Sequence, residues 1–107
     1  MNFINLTPHS INVLDLNGDL VITLEPSGVV ARCAATTTAV DTVNGVVLNR
    51  TTFGVVTGLP DQQDGVLLVV SMLVRAACPN RSDLSSPGEL VRDQVGQPIG
   101  CKGLVIN

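Results

Sequence analysis

The sequence predicts an α+β domain, dominated by antiparallel strands that curl into a strongly bent sheet or small barrel, with one short helix after a buried central strand. Three observations predict it. Alternating apolar residues flank Asn17-Gly18, the preferred pair for a tight hairpin turn. Five consecutive aliphatics, Val66 to Val70, run directly into Ser71 and a helically spaced segment. Gly, Pro and Asn turn pairs recur between short β-branched runs along the whole chain, and about six to eight strands follow from them.

The elements follow in order. Ile11 to Leu24 reads as a hairpin in which Leu16 faces Asp19, Leu14 faces Val21 and Val13 faces Ile22. Ile11, Val13, Leu20, Ile22 and Leu24 then share a buried face, with Asn12, Asp19 and Thr23 on the wet one. Glu25-Pro26-Ser27-Gly28 reverses the chain before a strand over Val29 to Cys33. Ala34 to Val43 and Val46 to Leu48, separated by Asn44-Gly45, either pair as a second hairpin or run as Thr-rich loops. Thr51 to Thr57 reads as a further strand, with Gly54 at a bulge or close approach. Gly58 to Gly65 is polar and turn-rich, hence a surface loop. Val66 to Val70 has the composition of a strand buried on both faces. Ser71 caps a helix running to Cys78, which Pro79 stops. Leu90 to Asp93 and Pro98 to Cys101 flank Gln94 to Gln97 as a hairpin with a four-residue loop.

Length and composition bound the function. At 107 residues, the chain is one domain, 1–107, long enough to bury about 65% of its unfolded surface without metals or disulfides. A 45% hydrophobic content with only 14% charged residues excludes disorder. It also leaves too little charge to cover the exterior, so part of the surface is expected to be hidden in a homo-oligomer. The net charge of −3 and the absence of any Lys or Arg run argue against long nucleic acid, whose binding depends on counterion release at a basic patch. No basic, apolar leader opens the sequence and no apolar stretch reaches membrane-spanning length, so a cytoplasmic protein is expected. Cys33, Cys78 and Cys101 are odd in number and widely spaced, suggesting neither disulfides nor a zinc site.

A catalytic constellation would have to rest on His9, the only histidine, which lies in an opening loop beside Pro8. A loop histidine whose ring braces the turn is the simpler reading. No glycine spacing forms a phosphate cradle, and no enzyme, cofactor or metal is expected. The arginines are more suggestive. Five Arg to one Lys favours planar, bidentate contacts to an anion or a partner chain. Arg75 lies on the predicted helix, Arg81 precedes Ser82-Asp83, and Arg92-Asp93 ends a strand. Arg32, with Asn5, Thr7 and His9, adds donors from other segments. Local surface pairing of Arg81 with Asp83 and of Arg92 with Asp93 is the competing structural reading.

Asn5-Leu6-Thr7-Pro8-His9, Pro26 to Arg32, Val69 to Val74, Pro87 to Asp93 and Gly100 to Leu104 together resemble the small phage and prophage proteins that open on an N-L-T-P-H segment. In size and β-rich plan the chain is also similar to the Thoeris anti-defence sponge proteins of phages. The resemblance implies a non-enzymatic oligomer in a bacterial host cytoplasm that sequesters a small nucleotide-derived signal, of cyclic ADP-ribose or cyclic oligonucleotide type, without cleaving it. Arg92, Asp93, Arg81, Arg75, Asn5, Thr7, His9 and Arg32 are the candidate ligand residues. The alternatives are a structural or protein-interaction module, such as a virion accessory protein or host-protein inhibitor, and a small phosphodiesterase or nuclease acting through His9.

Overall fold

In a computed structural model describing residues 1–107, the chain runs β1 (Asn2–Asn5), β2 (Ile11–Leu14), β3 (Leu20–Leu24), β4 (Arg32–Val43), β5 (Val46–Thr57), β6 (Val66–Val69), α1 (Met72–Ala77), β7 (Leu84–Arg92) and β8 (Pro98–Ile106). Six strands form one sheet in the order β1-β6-β7-β8-β2-β3. This sheet curls into a nearly closed barrel. Asn5 joins the two ends: its carbonyl accepts from the Ser27 amide and its side chain donates to the Leu24 carbonyl. The fold is mostly β, with a single six-residue helix. The expectation of a mainly antiparallel sheet needs correction, because β1 with β6, β6 with β7 and β2 with β8 are all parallel. For β6 and β7 the cause is connectivity: helix α1 carries the chain over between them, and such a crossover returns a parallel neighbour.

Strand β6 organises the interior. Its alternating side chains face two ways, as expected for a strand buried on both sides. Leu68, with Val70 just beyond the strand, packs with Leu6, Ala31, Val74 and Leu84, while Val69 joins Ile11, Val13, Leu24 and Cys101. The helix starts where the sequence places it, the Ser71 hydroxyl accepting from the Val74 amide at 3.2 Å. Val74 is its buried residue and anchors it over β6. No helix is long and apolar enough to cross a membrane.

The first hairpin forms, but with a different turn. Val13 does face Ile22, whereas a bulge after Val13 sets Leu14 opposite Leu20 instead of Val21. Leu16 does not pair with Asp19. Asp15 causes the change: its carboxylate accepts from the Asn17 and Asp19 amides, which widens the turn around Gly18. Ile11, Val13 and Leu24 are buried as expected, but Leu20 and Ile22 are 59% and 41% exposed because β3 is the edge of the sheet.

The segments flanking Asn44-Gly45 pair as a hairpin, and it is far longer than expected. Strands β4 and β5 form a separate two-stranded ribbon of 12 residues each that absorbs the strand predicted over Thr51 to Thr57. Asn44 and Gly45 have φ of 51° and 78°, the left-handed pair a tight two-residue turn requires. Gly54 lies at a bulge, where an added Cβ would come within 3.1 Å of the Ala34 side chain. Val29 and Val30 precede the ribbon rather than belonging to it.

The last hairpin turns where expected and has a longer first strand, but that strand ends at Arg92, so Asp93 leads the loop rather than closing the strand. Strand β7 begins at Leu84 and runs through Pro87-Gly88, which the sequence alone reads as punctuation. Pro87 is tolerated because β6 covers only Leu84 and Ser85, leaving β7 with a neighbour on one side at that point. Gly88 is required by close approach, since a Cβ there would lie 2.2 Å from the Lys102 carbonyl oxygen.

Candidate functional site

Asn5, Thr7 and His9 are brought together in one turn built around the Asn5 side chain, which is buried and fully used. Its Nδ2 donates to the carbonyls of His9 and Leu24 at 2.8 and 2.9 Å, and its Oδ1 accepts from the Thr7 amide and hydroxyl at 2.9 and 2.7 Å. It is the carbonyl of His9 that closes this turn; the residue itself is exposed at the surface. The bracing role expected of the imidazole therefore belongs to the backbone.

The arginines divide by how much of each guanidinium is engaged. Arg81 is the most committed. Its Nε and Nη2 donate to the two carboxylate oxygens of Asp83 at 2.8 and 2.7 Å, and Nη2 also donates to the Pro60 carbonyl at 2.9 Å. This fork ties the polar loop before β6 to the loop before β7. The hydrogen bonds from Arg81 hold the Asp83 carboxyl below the ordinary carboxylate range, against burial, which pushes it up; the charge of Arg81 adds to the lowering. The Asp83 side chain is 3% exposed, so this is a partly buried pair rather than a surface contact.

Arg75, on α1, donates from Nε to the buried Ser86 hydroxyl at 2.8 Å, pinning the helix to β7. Asn107 completes that joint, its Nδ2 donating to the carbonyls of Cys78 and Arg81 at 2.9 and 3.1 Å. The sequence holds no local signal for Asn107, because its partners lie 29 and 26 residues away. Arg92 and Asp93 do not pair with each other. Arg92 donates from Nη1 to the Gly96 carbonyl at 2.8 Å, leaving Nε and Nη2 open, and Asp93 accepts from the Val95 and Gln97 amides at 3.0 and 2.9 Å. Arg32, at the base of the ribbon opposite Thr57, is exposed and forms no ion pair. Arg50, midway along β5 and outside the candidate set, is exposed and unpaired in the same way.

The two main clefts on the surface contain no charged residue. One, of about 310 Å³, lies between β2 and β8 and is lined by Asn12, Leu90, Ile99 and Cys101 among others. The second, of about 480 Å³, lies between Ile4, Leu6, Val29 and Leu59 at the loop that Arg81 tethers. The candidate arginines thus line neither cleft. No family model matches the chain, and no curated protein or solved structure matches it either.

Proposed function

We propose that this protein is a non-enzymatic phage anti-defence protein that works as a homo-oligomer, holding a small nucleotide-derived anion at a junction between copies. The observation that carries the reading is the guanidinium groups left open at the surface: Arg32 unpaired, and Arg92 with two of its three nitrogens free. A guanidinium recognises phosphate through paired N–H donors, and one or two suffice for a small anion. Because the two main clefts of a single chain carry no charged residue, a second copy is the natural way to bring these groups together. Asn5 and Thr7 are consumed in their own turn, so ribose or base contacts fall to other side chains. Sequestration needs affinity and stoichiometric supply, with no proton transfer, and the exposed His9 is dispensable for it.

Calorimetric titration with cyclic ADP-ribose isomers and cyclic dinucleotides and trinucleotides tests this. The expected result is tight binding, recovery of the ligand intact after denaturation, undiminished binding by His9→Gln and at least about tenfold weaker binding by Arg92→Ala. Absence of binding across the panel overturns it, and turnover that is lost in His9→Gln would assign a phosphodiesterase instead. The uncharged clefts and apolar ribbon favour a second reading, a phage interaction module without a small ligand; co-purification of one host or virion protein without nucleotide would establish it.

A further inference from the structure

The β4–β5 ribbon is the least explained part of the molecule. It stands outside the barrel sheet, and every residue from Ala34 to Val55 is exposed. Two-stranded ribbons are marginally stable in water, because a pair of strands buries too little to offset the ordering of its backbone. This one is also unprotected. Between Ala34 and Thr57 only Asp41 and Arg50 are charged, there is no proline, and Val40, Val43, Val46, Val47 and Leu48 cluster around its tip. Long, apolar, free-edged strands of that kind pair with further strands unless blocked.

The surface of the whole molecule points the same way. A folded monomer of this mass exposes about 5,700 Å², whereas this chain exposes 7075 Å². The excess, about 1,400 Å², exceeds the roughly 800 Å² that each partner contributes to a stable interface. We infer that the β4–β5 ribbon is an assembly arm whose occupant is a second copy of this chain, docked arm to arm about a two-fold axis. Such an interface is self-complementary: each arm offers the same free edges and apolar tip to the other. Asp41, opposite Leu48, and Arg50, opposite Thr38, lie close along the ribbon yet form no ion pair within the chain, which leaves one charge of each sign on every arm for its partner.

The inference rests on the homo-oligomer of the proposed function, and the two fail separately. Sedimentation equilibrium of the full chain should give at least a dimer at micromolar concentration, and Val46→Lys with Leu48→Lys should weaken assembly by about 100-fold. Both side chains are exposed in the single chain, so an unchanged far-ultraviolet spectrum is expected alongside. Hydrogen exchange on the unmodified protein gives an independent reading, with the outward-facing amides of residues 36–51 protected at high concentration. A wild-type monomer, an oligomer indifferent to both lysines, or arm amides exchanging like open loops each overturns arm docking, even if nucleotide binds. An assembled protein that binds no nucleotide supports the arm and removes the ligand.

Discussion

At neutral pH Asp83 is ionised while nearly buried, and its charge is balanced by the two-pronged contact from Arg81. Replacing it by Asn breaks a charge-assisted pair and should cost about 1.5–3 kcal/mol at pH 7. Because the folded-state pKa lies below the ordinary value of about 3.9, that stabilisation is complete above the ordinary value and is lost as pH falls through the folded one. Urea titrations of Asp83→Asn and the wild type should therefore show a gap at pH 7 that closes in strong acid. A gap independent of pH would assign the effect to packing. The Arg81–Asp83 pair is visible in the sequence as two opposite charges two residues apart, while its third partner, the Pro60 carbonyl, is not. Asn5 shows the same limit. Its type suggests a donor for a ligand, and only the placement of Leu24 beside it turns all its capacity inward.

Two elements share one device. The loops Asp15-Leu16-Asn17-Gly18-Asp19 and Asp93-Gln94-Val95-Gly96-Gln97 each use the leading carboxylate to accept from the second and fourth amides after it, with a left-handed glycine third. Asp93 is thus a turn former. Asp15→Ala and Asp93→Ala should each lower stability by about 1 kcal/mol, seen as a shift of the thermal midpoint, and Asp93→Ala should leave nucleotide binding within about twofold of wild type. A large loss of binding with no loss of stability would return Asp93 to the ligand site. The Asp-x-x-Gly spacing stands in both loops, but Asn-Gly is so strong a two-residue turn signal that it masks the wider one. Strand β7 is masked for the converse reason: Pro and Gly mark turns unless a sheet leaves an open side and a tight backbone contact for them, as at Pro87 and Gly88.

The whole molecule is a small barrel with an arm, and its shape records the arm directly. The radius of gyration is 16.1 Å, against about 13 Å for a compact domain of this length. Limited proteolysis should separate the two parts. In the Val46→Lys, Leu48→Lys protein the first cuts are expected within residues 38–51, leaving the barrel resistant, while the assembled wild type should resist at both; cleavage beginning in the barrel would show that the arm is not the weak unit. Composition alone announces surplus apolar surface, since so few charges cannot cover a domain. Short-range chemistry, and hence the order of residues, is enough for the β-rich class, the Ser71 cap, the doubly buried β6, and the turns at Asn44-Gly45 and after Asp93. The parallel pairings, the barrel closure at Asn5, the packing of Ala31 and Cys33 against the core around Leu6 and the dispersal of the arginines emerge only in three dimensions. Those depend on which distant strands come to lie side by side, and local periodicity carries information about a strand's faces but none about its neighbours.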